Sequence, residues 1–554
     1  MEALKSKIIS VLADTVNTLF FKPENQNLPQ IYLEIPKNKQ FGDLSTNIAM
    51  QIAKSLGKDT KEIAGLIVDA LERKVESKEL KAYIKAIKVQ GGGFINFYFN
   101  ESSLYNGIYE VLKKGKNFGR SAIGEDKKIL IEFVSANPTG SLSIAHARQA
   151  AVGDSLSNIL LFSGWNVSKE YYINDEGNQI NLLGESIRAR YRELLGKEAQ
   201  FPQNGYKGSY IYDMANMLIE KFKDTLLQKE LSFFAAYGAT AILAWIKEDL
   251  KEFGVHFDTW FSQKELSHTD KIDESLGELK KKGFIYEQEG ALWFKSTAFG
   301  DDKDRVVVKS DGTFTYITPD IAYHREKFIR GFNRLINIWG PDHHGYIARL
   351  KAAVSALGFG DDSVTVLIVQ LVTLYKDKAV VPMSTREGQF ITLKELLAEV
   401  GKDAARYFFL MRKIDSHLDF DLELAKKQSP ENPVFYVQYA HARISSILKN
   451  AGIQKSAFLD SNLVLLTQPE EIDLIKFIMR FPETVQQAAG ALEPYRLIPY
   501  LEGLAKSLHS FYDKHKVIGE DKELTVARLA LVEAVRIVLE NGLMLIGVSA
   551  PEEM

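Results

Sequence analysis

The chain has 554 residues, enough for about three or four domains and at least one large core. A hydrophobic fraction of 45% and a charged fraction of 25% exclude a disordered or collagen-like chain, and the lack of cysteine excludes disulfides, thiolate zinc sites and cysteine nucleophiles. Lys+Arg 69 against Asp+Glu 72 leaves a net charge of −3, so a nucleic-acid partner would have to be met by local basic patches.

Residues 1–112 read as a small α+β unit. Leu4, Ile8, Leu12, Val16 and Leu19 recur at helical spacing. The same stretch carries Glu2 and Asp14 and has no small-residue cleavage site, so no secretory signal is expected and the cytoplasm is the expected location. A second helix is predicted from about Thr46 to Leu56, capped by Asp43 or Ser45 and stopped by Gly57. Two β-rich runs, YIKAIKV and FINFYF, flank Gly91-Gly92-Gly93. Residues 113–127, rich in Lys and Gly, read as a basic linker.

At Lys128 the pattern changes. KILIEFV reads as a buried strand, ANPTGSLSIA as a loop, the stretch from His146 to Gly164 as a helix, and WNVSKEYYIN as the next strand. Strand, loop, helix and strand make a βαβ unit, which implies a parallel sheet with a ligand at the carboxyl end of its strands. The α/β unit is therefore placed at 128–400, with a mostly helical insertion at about 181–280. RVVVKS, TFTYIT, LINIWG and VTVLIVQLVTLY return to β character. Residues 401–554 read as helices only. Leu529 to Val548 is the most apolar window, but Glu533, Arg536 and Glu540 form one helical stripe in it, so no membrane span is expected.

Four constellations carry possible chemistry. Glu132 to Arg148 joins a strand end to a helix start, where free N–H groups and the helix dipole attract phosphate; Gly140 permits close approach and His146 can hydrogen-bond phosphate oxygens. Val381 to Gln389 follows an apolar strand and offers Met383, Ser384 and Arg386 to a polyphosphate. Gly340 to Tyr346 holds His343 and His344. Adjacent histidines without a third ligand at helical spacing suit hydrogen bonding or stacking, so no metal site is expected. Tyr316 to Arg325 opens a helix at Pro319 with Asp320 in the first turn. Each has an ordinary alternative: a capping histidine, an exposed loop, a turn, or an aspartate complementing the helix dipole.

Their order is specific. The chain resembles the class I aminoacyl-tRNA synthetases, and within them the arginyl-tRNA synthetase family. ANPTGSLSIAH resembles its HIGH region and PMSTREG its KMSKS loop. FGDLSTNIAM, GGGFINFYF, YYINDEGNQI, GYKGSYI, DIAYHREKF, GPDHHGY and GKDAARYFFLMR extend the resemblance nearly end to end. Ser143 stands where most relatives carry the first histidine, Ala145 where most carry glycine, Thr385 in place of the middle lysine, and Glu387 where many are basic.

The resemblance implies a Rossmann-type parallel-sheet catalytic domain between an N-terminal α+β domain and a C-terminal all-helical anticodon-binding domain. It implies ATP as substrate with Mg²⁺, L-arginine and tRNA(Arg) as partners, no membrane, and a monomer. His146, Ser143, Ser384 and Arg386 are the implied catalytic residues, with Gly140, His343 and Met383 added on the ATP side. A guanidinium, with five donors and a fixed charge, needs carboxylates and amide oxygens. Glu132 and Asn137 are expected at the α-amino end of arginine, Tyr316 and Asp320, at i and i+4, on the guanidinium, and Ser135 among the arginine-binding residues. Phe94 and Asn96 are expected to contact the tRNA D-loop, and Tyr439, His441 and Arg443 the anticodon stem and loop. The function implied is ATP-dependent ligation of arginine to tRNA through an arginyl-adenylate. The alternative, raised by Ser143, Ala145 and Glu387, is a tRNA-binding paralogue with weakened or lost adenylation. A different class I synthetase is a third reading, against which FGDLSTN and the acidic pocket count.

Overall fold

The computed structural model describes residues 2–21, 28–36, 38–75, 78–381 and 391–554. The N-terminal unit holds α1 (Glu2–Phe20), β1 (Leu44–Thr46), α2 (Ile48–Leu56), α3 (Thr60–Val75), α4 (Lys78–Lys81), β2 (Ile84–Gln90) and β3 (Phe94–Phe99). Its three strands form an antiparallel sheet in the order β1-β3-β2. The helical stripe of α1 buries Leu4, Ile8, Leu12 and Val16 in the core of this unit, whereas Leu19 stays 41% exposed. Gly57 ends α2 in the left-handed conformation at φ 61°. The cap of α2 is Asn47, not Asp43 or Ser45. Asp43 is engaged elsewhere, accepting from Phe99 N at 2.8 Å and pairing with Lys476 at 2.5 Å.

The core of this unit ends at Phe99. The next helix, α5 (Glu101–Lys114), buries Leu104, Tyr105, Ile108 and Val111 in the large core of the rest of the molecule. A boundary at 112 would thus cut behind a helix that packs with the C-terminal helices. The basic stretch 113–127 is packed as well: Phe118 is buried, and Asn541 donates to the carbonyls of Gly115 and Phe118 at 3.1 Å each.

The central sheet is built from β4 (Lys128–Glu132), β5 (Asn166–Ile173), β6 (Thr259–Ser262), β10 (Arg334–Trp339) and β11 (Val364–Ile368), all parallel, in the order β11-β10-β4-β5-β6. The chain winds from β4 outward to β6, then crosses to β10 on the other side of β4. That reversal opens a crevice at the carboxyl ends of β4 and β10, the usual ligand position in such sheets. Helix α6 (Ile144–Phe162) connects β4 to β5. It is buried almost all round, which its small residues Ala147, Ala150, Ala151 and Gly153 allow. A Cβ on Gly153 would come within 2.3 Å of the Phe133 ring.

The helical insertion comprises α7 (Asn178–Leu194), α8 (Ser209–Phe222) and α9 (Leu231–Glu252); the stretch expected to be inserted also contains the edge strand β6. After α10 (Lys264–Ser267) and α11 (Lys271–Lys281), a small antiparallel sheet forms from β7 (Ile285–Gln288), β8 (Ala291–Phe294) and β9 (Arg305–Val308). Helix α12 (Ile317–Ile329) precedes β10, and α13 (Ile347–Ala356) precedes β11. Beyond them β12 (Val372–Lys376) pairs antiparallel with β13 (Ala379–Val380) and parallel with β14 (Leu418–Asp421). The strand β14 departs from the all-helical reading of 401–554. It comes after α14 (Leu393–Leu410), which is kinked at Gly401.

The C-terminal helices are α15 (Leu422–Lys426), α16 (Pro433–Ala451), α17 (Pro469–Ile478), α18 (Phe481–Ala491), α19 (Leu497–Lys514) and α20 (Lys522–Leu545). Fully buried Arg406 of α14 fastens them to α6. It donates to Asp154 at 2.6 Å and to the Ile546 carbonyl at 3.0 Å, and Ser155 donates to that same carbonyl at 3.3 Å. Among the described residues no helix is long and apolar enough to cross a membrane.

Candidate active site

The loop after β4 turns sharply. Val134 and Ser135 both adopt left-handed φ values, 68° and 38°, a cost that surrounding contacts must hold in place. Those contacts come from the next elements in the chain. Tyr171 of β5 donates to the Ala136 carbonyl at 2.8 Å, Asn137 donates to Gln179 of α7 at 2.7 Å, and Tyr210 of α8 donates to the Thr139 carbonyl at 2.7 Å. The insertion therefore braces the loop, Gly140 included.

Ser143 caps α6 in extended conformation and forms a capping box with His146. The Ser143 N–H points to His146 Nδ1 at 3.2 Å, with Ser143 Oγ 3.1 Å away. Burial lowers the imidazole pKa to about 4, with the charge of Asp342 acting in the other direction. At neutral pH the ring is uncharged. Because Nδ1 accepts the backbone N–H, the remaining proton lies on Nε2, a donor at a helix N-terminus.

The segment after the second predicted loop is fastened to this same turn. Ser143 and Thr392 form an antiparallel bridge, and Leu393 N donates to the Leu142 carbonyl at 2.8 Å. Arg148, also on α6 and fully buried, donates to the carbonyls of Gln370, Ser416 and Lys413 at 2.8–2.9 Å. Met383, Ser384 and Arg386 themselves lie outside the described residues.

The carboxyl ends of β4 and β10 and the face of α12 hold a chain of polar groups, buried at Glu132, His324, Lys327 and Asn337 and half-buried at Ser135 and Asp320. Glu132, the last residue of β4, accepts from Lys327 at 2.5 Å and from Ser135 at 3.0 Å. Lys327 is wholly buried and reaches Asn337 at 3.4 Å. Asn337 donates to His324 at 2.8 Å, and the other ring nitrogen of His324 donates to the Asp320 carbonyl at 2.8 Å. Burial holds His324 well below the ordinary histidine range, so it is neutral. Among the described residues the Asp320 carboxylate receives one hydrogen bond, from Tyr346 at 2.5 Å. Burial raises its pKa to about 6, partly opposed by that hydrogen bond; Glu132 pushes it up and Lys327 down. A carboxylate so desolvated gains most from a cationic donor.

Glu132, Ser135 and Asp320 are thus joined in one network, with Asn137 in the adjoining loop. Tyr316 stands apart, 87% exposed at the start of α12. His343 is exposed in the short helical segment Pro341–Tyr346, its ring 5.8 Å from that of Trp339. Sequence reasoning passed over Lys327, His324, Asn337 and Tyr346. Asp320, His324 and Lys327 recur at i, i+4 and i+7 on one face of α12, a signal within reach of the pattern alone. Asn337 arrives from β10 and Tyr346 from the short helical segment after it, and no local spacing announces either.

The expected RNA-contacting residues divide. Phe94 is 40% exposed, but Asn96 is buried, its amide donating to Gln90 at 3.2 Å. Tyr439 and Arg443 share the exposed face of α16, the Tyr439 ring stacked near Phe435 and His509 and the guanidinium 5.0 Å from the Tyr512 ring. His441 is 1% exposed, with Nδ1 donating to the Pro551 carbonyl at 2.7 Å. Asn96 and His441 are thus buried and hydrogen-bonded within the protein, and an RNA contact from either would require its surroundings to open.

Comparison with known proteins agrees with this architecture. The family model for the arginyl tRNA synthetase N-terminal domain matches residues 2–99, that for the class I (R) tRNA synthetase catalytic domain residues 107–418, and that for the DALR anticodon binding domain residues 437–554. The chain is 50% identical over 535 residues to an arginine–tRNA ligase of Geobacillus kaustophilus, covering 95% of each chain. It is 49% identical over 539 residues to that of Bacillus subtilis, covering 96% of each. The arginyl-tRNA synthetase structure of Thermus thermophilus shares the fold, with a TM-score of 0.76 at 21% identity over 99% of this chain and 100% of that one. A crevice at the sheet reversal, an imidazole donor at its helix N-terminus and full-length similarity at half identity lead to one assignment: this chain belongs to the arginyl-tRNA synthetase family.

Proposed function

We propose that the protein ligates L-arginine to tRNA(Arg) in an ATP-dependent reaction that passes through an arginyl-adenylate. One observation carries the reading: within a family member, a neutral histidine donor opens the helix after β4, and the polar network at the carboxyl end of β4 runs through α12 to a half-buried carboxylate bonded only to a neutral phenol among the described residues. The first suits a phosphate and the second a guanidinium.

The arginine carboxylate attacks the α-phosphate and pyrophosphate leaves. A hydroxyl of the terminal tRNA adenosine then takes the aminoacyl group and releases AMP. The protein's work is alignment and charge stabilisation. His146 Nε2–H and the Ser143 hydroxyl contact the phosphates, Gly140 lets them approach the backbone, and His343 lies on the ATP side with Met383, Ser384 and Arg386. Glu132, Ser135 and Asn137 receive the α-amino end, and Asp320, helped by Tyr316, the guanidinium. Mg²⁺ enters with ATP as part of the substrate. Phe94 in the N-terminal unit contacts the D-loop, and Tyr439 and Arg443 contact the anticodon stem and loop, where exposed aromatic and cationic groups suit unpaired bases. The protein works as a cytoplasmic monomer.

The test is attachment of labelled arginine to tRNA by the purified chain, with and without ATP. ATP-dependent charging by arginine alone among the amino acids is expected. Tight tRNA binding without charging would instead establish the paralogue reading raised by Ser143 and Ala145.

A further inference from the structure

Tyr346 ends the short helical segment after β10, and its phenol reaches the carboxylate of Asp320 on α12. A carboxylate has two oxygens and turns easily about its Cβ–Cγ bond. Here the phenol O–H donates to Oδ2 at 2.5 Å, so one lone pair of that oxygen is taken and rotation of the carboxylate is restrained. Trp339 packs edge-on against the Tyr346 ring at 6.1 Å and the Arg349 guanidinium lies 4.9 Å from its centroid, which holds the phenol in turn.

We propose that Tyr346 is a specificity-determining positioning residue for the amino acid: it aims the free oxygen of Asp320 at one N–H of the guanidinium. The inference rests on the reading of Asp320 as the guanidinium site. It adds how that site rejects a neutral isostere. A protonated Asp320 could donate to the ureido oxygen of citrulline; an ionised one, with Tyr346 already on Oδ2, presents only an acceptor to it. The wrong ligand then leaves two acceptors facing each other, which is a large penalty in a buried site.

Several groups set the balance. Glu132 at the end of β4 raises the Asp320 pKa and Lys327 on α12 lowers it. Tyr172 of β5 also faces Asp320, and His324 is neutral behind it. Against these, the Tyr346 hydrogen bond favours the charged form. Its removal should move the titration upward, so arginine binding in the variant should weaken below a higher pH than in the wild type.

The experiment is Tyr346→Phe in the full chain, with Asp320→Asn and the double variant, followed by charging kinetics from pH 5.5 to 8.5 and by citrulline inhibition. A hydrogen bond to a charged group implies a rise in KM for arginine of about 10-fold or more for Tyr346→Phe at pH 7. Its kcat at saturating arginine should stay within about twofold. The midpoint of the KM–pH profile should rise by about one unit, and the preference for arginine over citrulline should fall. In the double variant Tyr346→Phe should add less than about twofold to the effect of Asp320→Asn, because the carboxylate it serves is gone. An unchanged KM and midpoint in Tyr346→Phe, with Asp320→Asn impaired, would overturn the role of Tyr346 and leave the site standing. Fully multiplicative effects in the double variant would do the same. An Asp320→Asn protein with wild-type KM would remove the guanidinium site itself and this inference with it.

Discussion

Asp320 in the crevice and Glu533 in the C-terminal helices are both carboxylates inside the protein, and their surroundings push them in opposite directions. Asp320 has one neutral donor, Tyr346, and its pKa is raised to about 6. Burial acts on Glu533 too, but Arg536 at 2.7 and 3.0 Å and Lys455 at 2.9 Å hold it below the ordinary carboxylate range. Two histidines repeat the contrast. His441 has Nδ1 on the Pro551 carbonyl and Nε2 3.4 Å from Arg536, while His146 engages Nδ1 alone among the described residues. Burial lowers both pKa values, so burial does not separate the proposed binding residue from the structural one. What distinguishes them is whether the hydrogen-bonding capacity is already used.

Breaking each member of the contrast should give separable results. The largest effect is expected for Asp320→Asn, which keeps size and loses the charge. KM for arginine should rise by about two to three orders of magnitude, as for a buried charge left without its partner, with little change for ATP. Asn is a nearly neutral replacement for Asp at a helix start, so normal thermal stability with unchanged KM would reduce Asp320 to a helix-end residue. His146→Ala should come next. It removes one donor from the developing phosphate charge, about 3 kcal/mol or roughly 100-fold in charging rate, while tRNA binding measured by filter retention stays near wild type. A loss of only a few-fold would misplace the phosphate site.

Glu533→Gln tests the other half. Arg536 retains Glu540 at 3.0 Å, so the expected loss is about 2 kcal/mol in denaturant unfolding, with KM for arginine unchanged. A shift in that KM would erase the proposed division between satisfied and unsatisfied carboxylates. The smallest effect is expected from removal of residues 1–99. The unit has its own core and is tied to the helices by Lys5–Glu483 at 2.6 Å and Asp43–Lys476 at 2.5 Å, so the remainder should fold. KM for tRNA should rise about tenfold, the loss of roughly one good contact, with KM for arginine unaffected. The cut must spare α5, since Tyr105 and Tyr109 donate to the carbonyls of Leu466 and Ser461.

The βαβ unit at β4, α6 and β5 was legible because a continuous apolar run, a helix of small residues and a second strand succeed one another in sequence. The same local logic singled out Glu132, Ser143, His146 and Asp320 as candidates. It failed where pairing is remote. The four-residue strand β6 sits between helices and owes its place to register with β5, and β14 is defined only by its parallel partner β12. The packing of α5 was not legible either, because this helix is amphipathic like its neighbours and only the partner of its apolar face says which core owns it. Tyr346 and the burial of His441 depend on contacts 26 and 110 residues away.

The clamp on the Ile546 carbonyl has a consequence in time. Ser155 of α6 and this carbonyl are 391 positions apart in the chain, and Arg406 joins them from the middle. At a synthesis rate of about 5–20 residues per second, α6 waits roughly 20 to 80 s on the ribosome before the last of these partners exists. Throughout that interval Asp154, 4% exposed in the finished fold, sits in a helix whose C-terminal packing is missing. The helix that carries Ser143 and His146 at its start is thus made long before the carbonyl that Ser155 and Arg406 share.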